Sequence, residues 1–123
     1  MPAERLEHYT IRCASLERTR DFYRDMLGLT VGDRPPFNFK GYWLYLAGTP
    51  IVHLVEYAGG EGRETGALDH IAFSATGIDT MRATLSANSH VFREAGVPGG
   101  KIRQLFVSDP DGILVELNFR DGT

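Results

Sequence analysis

The segment LEHYTIRC, at residues 6–13, returns later in the chain as LDHIAFSA, at residues 68–75. Both copies begin with leucine, an acidic residue and histidine, and both continue with the alternating pattern of a β-strand. The segments that close the two halves also match, PIVHLVEY at residues 50–57 and GILVELNF at residues 112–119. The chain is therefore an internal duplication, in which each half is one structural unit.

Each half has one potential metal ligand on its first strand and one on its last. They are His8 and His53 in the first half, and His70 and Glu116 in the second. A histidine or glutamate on a buried sheet face is costly unless it is paired or bound to something. Four such residues at repeat-equivalent positions predict a metal site built on a pseudo-two-fold axis.

Composition limits the class of protein. The chain has 123 residues, a formal net charge of −3 and a single cysteine, Cys13. This length fits one small domain made of two half-size modules that share a core. The acidic balance argues against nucleic acid as a partner, and no apolar run approaches the ~18 residues that span a membrane. The single cysteine and an N-terminus without a signal pattern predict a cytoplasmic protein.

Periodicity predicts the order β-α-β-β-β in both halves. In the first half we expect strands at residues 6–13, 29–31, 41–46 and 51–57, and a helix over residues 16–27. In the second half we expect strands at residues 68–75, 91–93, 103–108 and 113–119, and a helix over residues 77–88, with a loop at residues 95–101. The glycine-rich residues 59–67 are predicted to link a first module, residues 1–58, to a second, residues 68–121.

Alternation along the strands predicts where the polar residues lie, because successive side chains point to opposite faces. One face of each sheet is mainly apolar and suits a covering helix, and Cys13 falls on that face. The other face collects polar groups, as where Glu116 and Asn118 share one side of the last strand and Gln104 lies on the polar side of its neighbour. The pattern for His53 is weaker, since its face is otherwise mostly apolar.

The chain resembles the vicinal oxygen chelate superfamily, which includes glyoxalase I, methylmalonyl-CoA epimerase, fosfomycin-resistance proteins, extradiol dioxygenases and bleomycin-resistance proteins. The motifs that match are LEHYTIRC, DFYRDMLGL at residues 21–29, DHIAFSA at residues 69–75 and VSDPDGILVEL at residues 107–117. The resemblance implies an α+β fold of two tandem βαβββ modules that form a curved mixed sheet around a metal cavity. It also implies a homodimer with its sites at the subunit interface, as in many short members.

The resemblance implies one divalent metal ion, Zn, Ni, Co, Mn or Fe, and a small-molecule substrate. By position, the implied ligands are His8, His53, His70 and Glu116. Ligand type alone does not choose among these metals. Bacterial glyoxalase I usually has glutamate where this chain has His53. The expected function is a glyoxalase I-like (lactoylglutathione lyase-like) lyase or an epimerase-like isomerase. It would act through a metal-bound enediolate on a substrate with adjacent oxygens, with Glu116 as the catalytic base.

Six further residues are candidate substrate contacts: Arg12, Tyr57, Phe37, Trp43, Lys101 and Arg103. Arg12 matches an arginine that glyoxalase I uses for glutathione, whereas Tyr57 stands where bacterial glyoxalase I has asparagine. The two aromatic residues near the loop at residues 34–40 would favour an apolar substrate, and the two basic ones would line the mouth of the cavity. The alternatives are a surface ion pair for Arg12, core packing for the aromatic residues and a solvated loop for the basic ones.

Two other functions stay open on the sequence. An extradiol-type dioxygenase needs Fe or Mn held by two histidines and one glutamate, so His53 would occupy a position that such an enzyme leaves open unless it acts as an acid beside the metal. A metal-free drug-binding protein, like the bleomycin-resistance proteins, typically lacks the ligand residues, whereas this chain has all four. Both functions are therefore ranked below the lyase or isomerase.

Overall fold

The computed structural model describes residues 2, 4–58 and 65–120. The chain divides into two compact units, Met1–Glu61 and Gly62–Thr123. Each unit has the order βαβββ and its own four-stranded mixed sheet, which confirms the predicted fold class. Most of the linker predicted at residues 59–67 lies outside the described residues. None of the helices in the described ranges is long and apolar enough to cross a membrane.

The first unit contains β1 (Tyr9–Cys13), α1 (Leu16–Asp25), β2 (Thr30–Gly32), β3 (Gly41–Leu46) and β4 (Thr49–Glu56). The sheet order is β1-β4-β3-β2. The first strand pairs in parallel with β4, with Thr10 opposite His53, and β3 pairs with β4 in the antiparallel sense, with Trp43 opposite His53. Since β4 lies between β1 and β3, His53 is near the centre of the sheet.

The second unit contains β5 (Ile71–Ala75), α2 (Ile78–Ala87), β6 (Phe92–Gly96), β7 (Ile102–Ser108) and β8 (Leu114–Arg120). The order β5-β8-β7-β6 repeats that of the first unit. A tight turn joins β7 to β8: Gly112 donates its N–H to the carbonyl of Asp109 at 3.1 Å. The buried Oδ1 of Asp109 accepts from the N–H groups of Asp111 and Ile113 at 2.8 and 2.9 Å, so the side chain stabilises the same turn.

The buried residues lie on the face predicted for the helices. In the first sheet they are Ile11, Cys13, Leu44, Val52 and Leu54, and in the second Leu105, Val107, Val115, Leu117 and Phe119. Cys13 is 0% exposed, as expected for a core thiol. In α1, Leu16, Phe22 and Tyr23 are buried. In α2, Leu85 is the one buried residue, so this helix buries fewer side chains than α1.

Several predicted boundaries are wrong by a few residues. His8 and His70 were expected within strands. The strands β1 and β5 instead begin at the residue that follows each histidine, where pairing with β4 and β8 begins. The first helix ends at Asp25 because Gly28 adopts a φ of 81° and Leu29 donates its N–H to the carbonyl of Tyr23. Residues 95 and 96 were expected in a loop, but they extend β6 because they pair with β7.

Candidate metal centre

His70 and Glu116 come together in the second unit. His70 lies just before β5, and the parallel register places Ala72 of β5 opposite Glu116. Because alternate residues share a face, His70 lies on the side of Glu116. Its Nε2 is 3.2 Å from Oε1 of Glu116, whose side chain is 13% exposed. Two atoms bound to one ion at 2.0–2.2 Å and at right angles lie about 3 Å apart, so the spacing fits neighbouring positions on one metal ion.

His8 and His70 each follow an acidic residue, and that residue orients the imidazole ring. Nδ1 of His70 is 2.7 Å from Oδ2 of Asp69, and Nδ1 of His8 is 3.0 Å from Oε1 of Glu7. An ionised carboxylate only accepts hydrogen bonds, so each Nδ1 donates and each neutral ring has its lone pair on Nε2. This is the carboxylate–histidine arrangement that supports metal ligands in proteins. The acid–histidine pair repeats visibly in the sequence, but the role of the two acids depends on these contacts.

The charge around His70 favours its protonated form in the absence of a metal. The hydrogen bond to Asp69 raises the pKa of His70 above its ordinary value, and the negative charge of Glu116 adds to this, while burial of the ring opposes it. A proton and a metal ion therefore compete for Nε2 of His70, and the nearby carboxylates of Asp69 and Glu116 would stabilise either cation there.

His53 lies between two aromatic rings in the first unit. The ring centroids of His8 and His53 are 3.8 Å apart, and those of Trp43 and His53 are 4.0 Å apart, with an angle of 11° between the planes in both pairs. Burial and the nearby His8 lower the pKa of His53. The neutral imidazole is the form that binds metals.

A backbone carbonyl selects the tautomer of His53. Its Nε2 is 3.0 Å from the carbonyl oxygen of Pro50. A carbonyl oxygen only accepts, so Nε2 donates and the lone pair of the neutral ring lies on Nδ1. His53 would therefore bind a metal through Nδ1, in contrast to His8 and His70.

Each unit thus provides one pair of candidate ligands. Within residues 2, 4–58 and 65–120, no three or more His, Cys, Asp or Glu side chains are gathered around a common point. The pairs nevertheless fit a metal by their chemistry, because each histidine has a defined lone pair and Glu116 is a partly buried carboxylate beside His70.

The predicted substrate contacts have different surroundings. The Arg12 guanidinium lies 5.0 Å from the centre of the Tyr57 ring, so these two residues are in contact. Arg103 forms an ion pair with Glu94, which indicates a structural role, and Lys101 is exposed in the turn after β6. Phe37 is 45% exposed.

A series of aromatic ring contacts in the first unit ends at His53, which stacks on His8. Phe37 stacks on Phe39 at 5.0 Å and lies 6.4 Å from Trp43, which itself stacks on His53. The Arg34 guanidinium lies over both phenylalanine rings, at 5.0 and 5.1 Å. A partly exposed aromatic surface therefore leads up to His53.

Two amide side chains, linked in series to the Glu116 carboxylate by hydrogen bonds, were not assigned a role from the sequence. Asn118 donates from Nδ2 to Oε2 of Glu116 at 2.7 Å. Gln104, directly opposite Asn118 in the β7–β8 register, donates from Nε2 to Oδ1 of Asn118 at 3.1 Å. The available signal was their placement on the polar side of neighbouring strands.

Comparisons with known proteins identify related chains. The family model described as the Glyoxalase/Bleomycin resistance protein/Dioxygenase superfamily matches residues 5–117. A lactoylglutathione lyase of Escherichia coli O157:H7 is 34% identical over 123 residues, covering 92% of this chain and 90% of the relative. A lactoylglutathione lyase of Haemophilus influenzae is 35% identical over 121 residues, covering 89% and 87%.

Solved structures share the fold at lower identity. A glyoxylase/bleomycin resistance protein/dioxygenase domain from Frankia has a TM-score of 0.79 and 21% identity, and covers 98% of this chain and 96% of its own. The fosfomycin resistance protein FosX from Listeria monocytogenes has a TM-score of 0.77 and 22% identity, with 98% and 95% covered. These similarities extend over nearly the full length of both chains.

Proposed function

The chain belongs to the glyoxalase/bleomycin resistance protein/dioxygenase superfamily, and on that basis we propose that it is a metal-dependent lyase or isomerase that acts on a small substrate with adjacent oxygens. Relatives named lactoylglutathione lyase, at 34% and 35% identity, support a lyase-like enzyme. The observation that supports the metal most directly is the acid–histidine pair that opens both modules. In the second module its Nε2 is 3.2 Å from the Glu116 carboxylate.

The proposed ligands are His8 and His70 through Nε2, His53 through Nδ1 and Glu116 through Oε1. Three imidazole nitrogens and one carboxylate oxygen suit Zn, Ni, Co, Mn or Fe. When bound, the ion supplies Lewis-acid polarisation of a substrate oxygen. The neutral state of His53, favoured by its lowered pKa, helps to keep that ligand available.

Glu116 is also the proposed base, since a weakly held carboxylate would be able to leave the ion and accept a proton. Its carboxylate would take a proton from the substrate carbon next to the carbonyl. The proton would return to the neighbouring carbon in a lyase-type reaction, or to the same carbon in an epimerisation, so that one hydrogen moves without net oxidation. A side chain that is only 13% exposed limits the access of water to this proton. Glu116 lies on β8, and its Oε1 is 3.2 Å from Nε2 of His70.

The remaining candidates would bind the rest of the substrate. Arg12, in contact with Tyr57, would bind an anionic group, such as a carboxylate of a thiol adduct. Phe37 and Trp43 would contact an apolar group, and Lys101 and Arg103 would lie at the mouth of the cavity. We further propose that the enzyme is a homodimer with its sites at the subunit interface. We also propose that it is cytoplasmic, a compartment that suits a chain with a single free cysteine.

The first test is metal content per chain by mass spectrometry, on untagged protein purified without chelators. About one Ni, Co, Zn or Mn ion per chain supports the proposal, and assays of 2-oxoaldehyde–thiol adducts and acyl-CoA epimers follow. Glu116→Gln should abolish turnover, whereas the control Glu56→Gln, at the exposed end of β4, should not. Absence of metal after reconstitution, or unchanged turnover in Glu116→Gln, contradicts the proposal.

One observation favours an extradiol-type dioxygenase as a second candidate. The hydrogen bond of His53 to the Pro50 carbonyl gives its Nε2 a structural partner. Without His53, the remaining ligands would be two histidines and one glutamate, the set typical of non-haem Fe(II) oxygenases. Stoichiometric Fe and oxygen consumption with catechols would support this candidate over the lyase or isomerase.

A further inference from the structure

The two oxygens of the Glu116 carboxylate have different partners. Oε1 is 3.2 Å from Nε2 of His70, whereas Oε2 accepts from Nδ2 of Asn118 at 2.7 Å. Oδ1 of Asn118 in turn accepts from Nε2 of Gln104 at 3.1 Å. Gln104, Glu116 and Asn118 are partly buried, and Gln104 of β7 lies directly opposite Asn118 of β8. A continuous chain of hydrogen bonds therefore reaches Glu116 from the neighbouring strand.

The direction of this chain is fixed by the charge of Glu116. An ionised carboxylate accepts and does not donate, so Asn118 must turn its NH2 group towards Oε2. Its carbonyl oxygen then faces Gln104, which must donate its own NH2 group. Reversal of either amide would bring two acceptors together. The orientation of Gln104 is thus coupled to Glu116 although the two side chains are not hydrogen-bonded to each other.

On the basis of the function proposed above, we infer that Asn118 is a positioning residue that selects Oε1 of Glu116 as the reacting oxygen, and that Gln104 fixes the orientation of Asn118. The hydrogen bond from Asn118 occupies a lone pair of Oε2 that a bidentate carboxylate would present to a metal. Oε1 is left to face His70, where it would hold the ion and, on leaving the ion, would accept the substrate proton. A hydrogen-bond partner that orients a ligand typically changes metal affinity when it is removed.

The first test is Co²⁺ binding to Asn118→Leu, which keeps the approximate shape and removes the donor. We expect affinity to fall about 10- to 100-fold, with a change in the visible absorption of bound Co²⁺ as the carboxylate rotates. The matched control is Asn88→Leu, which removes the hydrogen bond from the Asn88 amide to the Thr84 carbonyl at the end of α2. This control should bind Co²⁺ like the wild type, and both apoproteins should keep melting temperatures close to the wild-type value.

Gln104 provides a test in which two explanations predict opposite results. Gln104→Glu introduces an acceptor, which would draw the NH2 group of Asn118 away from Glu116. We therefore expect weaker Co²⁺ binding in Gln104→Glu than in Gln104→Leu. Simple electrostatics predicts the reverse, because an added negative charge attracts a cation. When each substitution is combined with Asn118→Leu, the difference in affinity between Gln104→Glu and Gln104→Leu should disappear, since the amide that couples position 104 to Glu116 is absent.

The outcomes separate this inference from the proposed function. A wild-type protein that binds no Co²⁺ overturns both. A wild-type protein that binds Co²⁺, with Asn118→Leu binding within twofold of it, overturns the positioning role alone. Gln104→Glu binding as tightly as Gln104→Leu, or more tightly, overturns the orienting role of Gln104.

Discussion

At the scale of single residues, the acid that precedes His8 and the acid that precedes His70 determine which nitrogen of each imidazole can bind a metal. Asp69 accepts from Nδ1 of His70, and Glu7 accepts from Nδ1 of His8, so Nε2 is the nitrogen left with a lone pair. The same hydrogen bond limits rotation of the ring about its side-chain bonds. These acids therefore fix the orientation of the imidazole rings. Each histidine lies just before its strand, so the strand pairing alone would not fix it.

Replacement of Asp69 by alanine tests this role. We expect the affinity for Co²⁺ to fall about tenfold, because the ring loses its acceptor at Nδ1 and with it a fixed tautomer. The measurement is a Co²⁺ titration of apoprotein. Asp79→Ala is the matched control, since Asp79 forms an ion pair with Arg82 on the surface of the same unit. Equal affinities in the two variants would show that Asp69 does not orient a ligand.

Trp43, the single tryptophan of the chain, provides an intrinsic probe of His53. Their ring centroids are 4.0 Å apart. If His53 binds the ion, Co²⁺ or Ni²⁺ should strongly quench tryptophan fluorescence, while Zn²⁺, with its filled d shell, should quench it far less. The quenching should be lost in His53→Ala. Tight Co²⁺ binding without quenching would remove His53 from the ligand set and favour the dioxygenase.

The sequence identified the candidate ligands because duplication marks equivalent positions, and a strand places alternate residues on one face. It did not identify the tautomer of His53, which depends on the distance to the Pro50 carbonyl. It also did not identify the role of Asn118, because an amide beside a carboxylate is informative only when the two atoms are known to be in contact.

At the scale of secondary structure elements, an ion-pair cluster connects α2 to its sheet. Glu94 of β6 accepts from Nε and Nη2 of Arg82 in α2, at 2.7 and 2.8 Å, and also from Arg103 of β7. These hydrogen bonds, those of Arg82 first, lower the pKa of Glu94 to about 2. Since α2 buries only Leu85 completely, this cluster supplies much of the specific contact between helix and sheet.

The cluster predicts a pH-dependent contribution to stability. The folded-state pKa of Glu94 is about 2, below the ordinary value of 4.5. Its contribution is therefore full above about pH 4.5 and is lost as the pH falls towards 2. Because the Glu94 side chain is partly exposed, we expect Glu94→Gln to be less stable than the wild type by roughly 1 kcal/mol at pH 7. Urea unfolding at pH 7 and at pH 2.5 measures the difference, and a gap that does not narrow at low pH contradicts the prediction.

The order of elements was predictable from the sequence because apolar alternation marks β8, and apolar residues are frequent in β4 and β7. The length of β6 was not, because alanine and glycine at positions 95 and 96 resemble a loop. Their pairing with Gln104 and Arg103 of β7 overrides that local preference. The start of β5 was missed for the converse reason: an alternating pattern continues upstream of the point where hydrogen-bonded pairing begins.

At the scale of the whole molecule, duplication divides the proposed ligands equally between two units. Each unit has the same strand order and the same acid–histidine opening, but the second ligand differs, His53 in one and Glu116 in the other. Neither pair alone supplies the four donors that the proposed function requires. Metal binding should therefore depend on both halves of the chain.

This dependence predicts a thermal stability effect. Metal at 100 times its Kd should stabilise the protein by about 2.7 kcal/mol and raise its melting temperature. His8→Ala and His70→Ala should each lose most of this increase, although they lie in different units. His90→Ala is the control, since His90 follows α2 and has no proposed ligand role. A full increase in either ligand variant would contradict a site that needs both modules.

The burial of Cys13 has a consequence for the durability of such an enzyme. Substrates with adjacent carbonyl oxygens are electrophiles, and thiols are among the side chains that they modify most readily. The only thiol of this chain is 0% exposed in the core of the first unit. A catalyst of the proposed type would thus be protected from covalent self-inactivation at sulfur by the same packing that stabilises its first strand.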